Sequence, residues 1–231
     1  MFYSELTGMP VYHTDEVCIR KETAVCVTGH RTKSIKPYRD DPKNFGITCY
    51  AAKLMLDRYI SIVMKKGYTT LLSGLAEGTD LWAAERVLFH KRYEKERRLI
   101  GVMPYMSHFN GFKANNIELL RLVERHADML VTTCNNVNVT YGRKQTPLTD
   151  PTIYKKRNYY MVDNSAVVIA FYNESNPRSG TGQTVRYARQ LGHLVLCFDN
   201  DDIHRLLDRA GLDKMAIYNE LKKFKLNVPK P

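Results

Sequence analysis

The chain has 231 residues, of which 44% are hydrophobic and 26% are charged. These proportions are typical of a folded globular protein and exclude a disordered or fibrous chain. The chain carries 35 Lys and Arg residues against 24 Asp and Glu residues, so its formal net charge is +11. The longest apolar run, residues 166–172, is far shorter than the roughly 20 residues that span a membrane, and we expect no membrane partner.

Three segments hold the basic excess. Residues 86–98 contain six Lys and Arg against two acids, residues 141–158 contain five against one, and residues 203–231 contain seven against three. A basic surface attracts phosphate-bearing partners such as nucleic acids. Solvated helix faces are also often basic, so the charge alone leaves both interpretations open.

Cysteine usage and the start of the chain indicate a cytoplasmic protein. The five cysteines form no Cys-x-x-Cys pair, and together with the seven histidines they show no zinc-type spacing. We expect reduced thiols and no metal site. We expect no secretory signal, because residues 1–20 include Glu5, Asp15 and Glu16 and contain no long apolar stretch.

Strand-like and helix-like patterns alternate along the chain. Apolar runs predict strands at residues 24–28, 68–73, 99–103, 128–133, 166–172 and 193–198. Amphipathic patterns predict helices at residues 45–66, 79–97, 109–125, 150–164 and around 184–191, with further helices after residue 200. Helical crossovers between strands imply a parallel sheet covered on both faces. We therefore predict a Rossmann-like, three-layer α/β sandwich with a mostly parallel sheet of about six strands.

The chain is expected to contain one central domain at residues 22–200. Residues 1–21 form an N-terminal extension, and residues 201–231 form a basic helical tail packed on or next to the domain. Residues 135–150 lack periodicity over a length that is unusual for a loop in a compact domain. This stretch is either a functional loop or a sign that a strand boundary is misplaced.

Polar and glycine-rich segments follow the first, second, third and fifth predicted strands. Ligands of open parallel sheets bind outside the carboxyl ends of the strands, so these segments supply the predicted ligand-binding residues. They are Gly29, His30, Arg31, Ser73, Gly74, Glu77, Gly78, Thr79, Asp80, Tyr105, Asn173, Ser179, Gly180, Thr181, Gly182 and Thr184.

Two of these segments, residues 73–80 and 179–184, are glycine loops that open helices. Glycine allows the backbone to approach a ligand, and the following helix presents free N–H groups to an anion, so phosphate is the natural guest. Neither loop matches GxGxxG, and neither has the lysine of a Walker loop, which disfavours a dehydrogenase or a P-loop NTPase. Bulky residues at Gly74 or Gly180 are expected to abolish binding and preserve the fold. Tyr105 is the candidate for stacking on a base, whereas Trp82 is expected to be buried.

Five segments together resemble the YpsA-like branch of the SLOG superfamily, which groups the DNA-processing protein DprA (Smf) with the LOG phosphoribohydrolases. They are CVTGHR at 26–31, SGLAEGTDLWAAE at 73–85, PY..H at 104–108, YMVDNSAVVIAFYN at 160–173 and SGTGQT at 179–184. The resemblance covers about residues 22–200 and leaves both terminal segments unexplained.

The resemblance implies a Rossmann-like domain that binds a nucleotide or nucleotide-derived ligand between the two glycine loops. By similarity, residues 29–31 would line the base of the pocket, and Ser73, Gly74, Gly78 and Thr79 would cradle phosphate. Asp80 would accept a hydrogen bond from a ribose hydroxyl, and residues 180–184 would close the other wall. A homodimer is likewise expected only from SLOG relatives.

The resemblance leaves the catalytic question open. LOG enzymes split a base from a ribose monophosphate and carry a catalytic glutamate at the end of a PGGxGTxxE motif. With that motif aligned on Thr184, the glutamate position is Tyr187 and the first proline position is Ser179. Glu77 and Asp80 remain as candidate catalytic carboxylates, although Asp80 is also explained as an acid in the first turn of a helix.

Three functional hypotheses follow. The leading one is a cytoplasmic sensor or sequestering module that binds an adenine nucleotide or an ADP-ribose-like or NAD-like molecule, with no other cofactor. The first alternative is an N-glycosidase of the phosphoribohydrolase type that acts on a nucleoside monophosphate or an NAD-like substrate. The second alternative is DprA-like binding of single-stranded DNA, which also draws on the net charge of +11.

Overall fold

The structure is a computed structural model that describes residues 2–134, 152–173 and 178–231. The described strands are β1 (Phe2–Tyr3), β2 (Pro10–His13), β3 (Ala24–Gly29), β4 (Thr70–Ser73), β5 (Arg98–Met103), β6 (Met129–Thr132), β7 (Val167–Phe171) and β8 (Leu194–Phe198). The described α-helices are α1 (Phe45–Met64), α2 (Thr79–Lys91), α3 (Ala114–His126), α4 (Ile153–Asp163), α5 (Gly180–Gln190), α6 (Asn200–Ala210) and α7 (Lys214–Lys223). The stretch at residues 135–150 lies outside the described residues.

The described strands form one eight-stranded sheet in the order β1-β2-β6-β5-β4-β3-β7-β8. Only β1 and β2 pair in antiparallel fashion, and the other neighbouring pairs are parallel. The predicted α/β class and mostly parallel sheet are confirmed, and the arrangement is consistent with a Rossmann-like fold. The predicted number of about six strands is wrong, because the first 21 residues contribute two more strands to the same sheet.

Hydrogen bonds to a buried carboxylate attach the N-terminal segment to α3. Glu124 accepts one bond from Ser4 Oγ at 2.5 Å and another from Thr7 Oγ1 at 2.7 Å. Burial raises the pKa of Glu124, and the two hydroxyl hydrogen bonds oppose that effect. The segment is therefore a packed part of the sheet, held by polar contacts that sequence periodicity does not reveal.

Helices cover both faces of the sheet. Side chains of the inner strand β3 alternate between two hydrophobic clusters, one on each face. Val25 and Val27 lie in the larger cluster with residues of α1, α2, α3, α6 and α7. Cys26 lies in the smaller cluster with Met161 of α4 and Ala188 of α5. Burial raises the pKa of Cys26 to about 12, so this thiol is an inert core group.

The C-terminal helices pack on the same core. Ile203, Leu207 and Ile217 are fully buried in the larger cluster, and Arg58 of α1 donates a hydrogen bond to the carbonyl of Phe224 at 2.6 Å. None of the described helices is long and apolar enough to cross a bilayer.

The strand order places a crevice beside β3. From β3 the chain adds β4, β5 and β6 on one side, and it then returns to add β7 and β8 on the other side. Loops that leave the carboxyl ends of β3 and β7 therefore diverge. In open α/β sheets this reversal of strand order is the usual place for a ligand.

Candidate functional site

A cleft of about 340 Å³ lies at that reversal point, between the residues after β3 and the start of α5. Its volume is at the lower end of the range of about 300 to 1,000 Å³ that is typical of ligand pockets. The residues that line it are Thr28, Gly29, His30, Arg31, Lys33, Ser34, Ala76, Glu77, Asp80, Tyr154, Arg157, Asn158, Gly180 and Thr181.

His30 holds the segment after β3 in place. Its Nε2 accepts a hydrogen bond from the backbone N–H of Asn173 at 3.1 Å, and its carbonyl accepts one from Thr79 Oγ1 at 2.8 Å. Its ring packs edge-on against Phe171 with centroids 5.4 Å apart. Burial lowers the pKa of His30, which agrees with a neutral ring that accepts through Nε2. The role of His30 in this structure is to join the ends of β3 and β7.

The first glycine loop packs tightly against the segment after β3. Gly78 has φ of +95°, and a Cβ there would lie 2.8 Å from the carbonyl oxygen of His30. A Cβ on Gly29 would lie 2.5 Å from Thr79 Oγ1. Ser73 is fully buried and donates a hydrogen bond to the carbonyl of Asp80 at 2.8 Å. These glycines serve close packing of the chain on itself.

A buried ion pair forms one wall of the cleft. Arg157 Nη1 lies 3.7 Å from Asp80 Oδ2, and the two side chains are only 5% and 8% exposed. The same guanidinium donates a hydrogen bond to the carbonyl of Gly74. Burial raises the pKa of Asp80 to about 6, although the charges of Arg157 and Arg31 oppose that rise. Asp80 is therefore mostly ionised at neutral pH and able to take up a proton just below it.

Sequence reasoning missed Arg157 and its neighbours on α4. The helical pattern places Arg157 on the same face as Ile153 and Met161, and both of these residues are buried. A charged residue on an apolar helix face was the available signal, because arginine is almost never fully buried without a partner. Tyr154 and Asn158 of the same helix also line the cleft.

The start of α5 forms the opposite wall. Ser179 Oγ accepts a hydrogen bond from the N–H of Gly182 at 3.0 Å and so caps the helix. Gly180 and Thr181 line the cleft, and as first-turn residues their N–H groups have no partner within the helix. Thr184 is fully buried and donates to the carbonyl of Gly180 at 2.8 Å. This end of α5 is favourable for an anion.

Positive charge in the cleft is incompletely paired. The Arg31 guanidinium makes no ion pair or hydrogen bond with any described residue. Arg157 Nε is buried, and it likewise has no hydrogen-bond partner in the described part of the chain. An anionic ligand in the cleft would give the Arg31 guanidinium a partner that no described residue provides.

Tyr154 places a phenol ring in the lining of the cleft. Tyr105, the predicted stacking residue, is 1% exposed, and its hydroxyl lies 3.1 Å from the hydroxyl of Tyr154. Tyr105 thus lies behind Tyr154, which lines the cleft.

Two further cavities adjoin the cleft, and Arg31 and Glu77 line all three. One has a volume of about 530 Å³ and includes His108. The other has a volume of about 660 Å³ and extends between α1, α2 and α3. Glu77 accepts hydrogen bonds from the N–H of Lys113 at 3.0 Å and from Asn116 Nδ2 at 2.6 Å, so it ties the first glycine loop to the start of α3.

The structure therefore divides the predicted residues into two groups. Those at the surface of the cleft are Gly29, His30, Arg31, Glu77, Asp80, Gly180 and Thr181. Those outside the described lining are Ser73, Gly74, Gly78, Thr79, Tyr105, Asn173, Ser179, Gly182 and Thr184.

Two further findings concern metal ligands and the position of the LOG glutamate. Among the described residues, no group of three His, Cys, Asp or Glu side chains could hold a metal ion. Tyr187, at the position of the LOG glutamate, stacks on Tyr159 with ring centroids 3.7 Å apart. Its hydroxyl donates a hydrogen bond to Asp163 at 2.8 Å.

Comparison with known proteins identifies the family. Residues 25–193 match the YpsA family model, described as the YspA SLOG family. This chain belongs to the YspA SLOG family. The family membership confirms the resemblance seen in the sequence motifs.

Two relatives of this YspA SLOG chain are the UPF0398 proteins of Bacillus thuringiensis (strain Al Hakam) and Bacillus cereus (strain AH187). Each is 25% identical over 156 residues, which cover 67% of this chain and 77% of the relative. Among solved structures, DNA processing protein A (DprA) from Streptococcus pneumoniae aligns with a TM-score of 0.45 and 20% identity. The alignment covers 88% of this chain and 62% of the DprA chain, so this chain spans less than two thirds of that protein.

Proposed function

We propose that this YspA SLOG protein binds an adenine nucleotide or an ADP-ribose-like ligand, and that it acts as a cytoplasmic sensor or sequestering module. The observation that carries the proposal is the convergence of Arg31, Arg157 and the start of α5 on one small cleft. Helix N-termini and arginine side chains are the groups that proteins use to bind phosphate. Tyr154 and Asn158 lie beside them and supply a ring and an amide for the remainder of a nucleotide.

Gly180→Phe is the variant that tests the proposal. A Cβ on Gly180 would meet no heavy atom of the described residues within 4 Å, and Gly180 lines the cleft, so we expect the added ring to enter the cleft and leave the fold intact. Gly46→Phe is the matched control. Gly46 lies in the first turn of α1, is exposed, and also leaves open space around an added Cβ.

Thermal shift and calorimetry with AMP, NAD, ADP-ribose and cyclic ADP-ribose are the measurements. A ligand present at about 100 times its dissociation constant stabilises the protein by about 2.7 kcal/mol, which raises Tm by about 5 to 11 °C at this size. We expect wild type and Gly46→Phe to respond to at least one ligand and Gly180→Phe to respond to none. No response from wild type, or an undiminished response from Gly180→Phe, overturns the proposal.

Asp80 favours a second candidate function, the hydrolysis of an N-glycosidic bond. Its carboxyl lies in the cleft with a pKa raised by burial to about 6. A carboxyl that titrates near neutral pH suits a general acid. Glu77 lines the same cleft.

Chromatography of the ligand after incubation distinguishes the two candidates. Recovery of intact nucleotide supports a binder, whereas release of free base supports the N-glycosidase. Asp80→Asn is then expected to abolish base release, with Glu77→Gln as the separate test of the other carboxylate. Base release that persists in both variants excludes these carboxylates as the catalytic acid.

Binding of single-stranded DNA stays a prediction that rests on the resemblance of SGLAEGTD at 73–80 and on the net charge of +11. Phosphate-backbone binding weakens steeply as salt rises. A short oligonucleotide that binds wild type and Gly180→Phe equally well, with a steep salt dependence, would favour this alternative. The expected homodimer also stays a prediction, which sedimentation of the purified protein measures.

A further inference from the structure

The cavity of about 660 Å³ beside the cleft has the chemistry of an anion site. It lies between α1, α2 and the start of α3, and it has Arg31, Lys33 and Glu77 in common with the cleft. Four cationic side chains line it against two carboxylates. The cations are Arg31, Lys33, Lys53 and Lys113, and the carboxylates are Glu77 and Glu85.

The lysines of this cavity have no acidic partner among the residues that the structure describes. Lys33, Lys53 and Lys113 form no ion pair with any described residue. Lys53 Nζ instead lies 5.0 Å from the centre of the Trp82 ring. The Glu77 carboxylate accepts hydrogen bonds from a backbone N–H and an amide of α3, both of which are neutral donors. Four cationic side chains against two carboxylates leave the lining with a net formal charge of +2.

The start of α3 adds to this positive potential. Its N-cap residue, Lys113, makes no side-chain capping hydrogen bond, and Asn115 and Asn116 of the first turn line the cavity. The first N–H groups of a helix carry the positive end of its dipole and lack partners within it, although here the N–H of Asn116 already bonds to the carbonyl of Lys113 at 2.9 Å. The starts of α5 and α3 thus line neighbouring cavities, and both cavities include Arg31.

We propose that the 660 Å³ cavity is a second anion subsite, so that the ligand carries two separated anionic groups and has the size of a dinucleotide. One group binds at the start of α5, the other binds among Lys33, Lys53 and Lys113, and the middle of the ligand passes Arg31. The inference rests on the proposed function, since the first subsite is the cleft itself.

The test compares a ligand with one phosphate and a ligand with two. AMP and the 5′-phosphorylated diadenylate pApA are titrated into the full chain by calorimetry at a fixed ionic strength of about 0.15 M, at which exposed charges more than about 8 Å apart are largely screened. Lys53→Gln/Lys113→Gln removes two charges from the second subsite. Lys66→Gln/Lys95→Gln is the matched control, because both residues are exposed lysines outside the described lining of these cavities.

Wild type is expected to bind pApA about tenfold or more tightly than AMP, the gain that one or two charge-assisted contacts provide. Lys53→Gln/Lys113→Gln should lose that gain and keep its affinity for AMP, and the control pair should keep both. Equal wild-type affinities for the two ligands, or an equal loss in the control pair, overturn the second subsite. In those two cases AMP binding still stands, so the proposed function survives.

Failure of wild type to bind AMP and pApA overturns the second subsite, and failure to bind NAD, ADP-ribose and cyclic ADP-ribose as well overturns the proposed function. Single-stranded DNA binding has its own signature in the same experiment. Affinity that continues to rise from pApA to an eight-residue oligonucleotide overturns the two-anion ligand, because the two subsites hold no more than a dinucleotide.

Discussion

Replacing Arg157 by methionine tests how the wall of the cleft is built. In this variant the Asp80 carboxylate stays buried but loses the guanidinium 3.7 Å away, and the Gly74 carbonyl loses its donor. Removing one partner of a buried ion pair costs about 3 to 5 kcal/mol, because an uncompensated charge remains inside the protein. For a chain of this size the expected fall in Tm is about 6 to 20 °C.

The loss of stability in Arg157→Met should depend on pH, and the titration of Asp80 determines the direction of that dependence. Its pKa rises from the ordinary value of 3.8 to about 6 on folding. The folded protein therefore binds this proton more tightly than the unfolded chain, and the cost of the buried carboxylate grows as the pH rises through the folded pKa. Loss of Arg157 moves that pKa higher, since Arg157 opposes the rise. Arg157→Met should be far less stable than wild type at pH 8 and should recover in part at pH 5.

Urea denaturation of wild type, Arg157→Met and Asp80→Asn/Arg157→Met at both pH values gives the free energies of unfolding. The double variant is expected to regain most of the loss at pH 8, because neither buried charge remains. Two results would refute the reasoning: a single variant as stable as wild type at pH 8, and a double variant no more stable than the single one.

Three further predictions concern the neighbouring contacts. Gly78→Ala should cost about 1 to 3 kcal/mol in thermal melts, because its φ is +95° and its Cβ would lie 2.8 Å from the carbonyl oxygen of His30; an unchanged Tm would contradict this. Burial lowers the pKa of His30, so the midpoint of its NMR titration should lie below 6.5, and the Asn173 amide signal should shift with the same midpoint. The free energy of unfolding should decline as the pH drops from 6.5 through the pKa of the folded state. Ser4→Ala removes the 2.5 Å bond to Glu124 and should speed hydrogen exchange in β1 and β2; equal exchange would argue against that attachment.

The sequence predicts β3 to β8 well because each of these strands is a short apolar run. β3 to β8 begin and end within two residues of the predicted positions. The helix ends are less accurate. α2 ends at Lys91, since residues 92–97 form turns in which Arg97 folds back onto Glu94 at 2.6 Å. α3 begins only at Ala114, after a turn in which Gly111 has φ of +97°.

The candidate site is predictable as an edge of the sheet but not as a constellation of side chains. Arg31 and Gly180 follow strands that any parallel α/β pattern brings together, so their position is implied by local sequence. Arg157 reaches Gly74 across 83 residues of sequence, and no local pattern encodes that contact. The ion pair with Asp80 depends on how α4 packs on the sheet, which is a property of the whole fold.

The two glycine loops look alike in sequence, yet the space around their glycines differs. A Cβ on Gly74 would collide with the Arg157 guanidinium and would lie 2.5 Å from Asp80 Oδ2, whereas a Cβ on Gly180 would meet no atom of the described residues within 4 Å. A bulky residue at Gly74 is therefore expected to displace the buried ion pair, so preservation of the fold at this position stays an untested prediction. Loss of binding in a Gly74 variant would report damage to the cleft wall. Only at Gly180 does a bulky substitution separate occupancy of the cleft from stability of the protein.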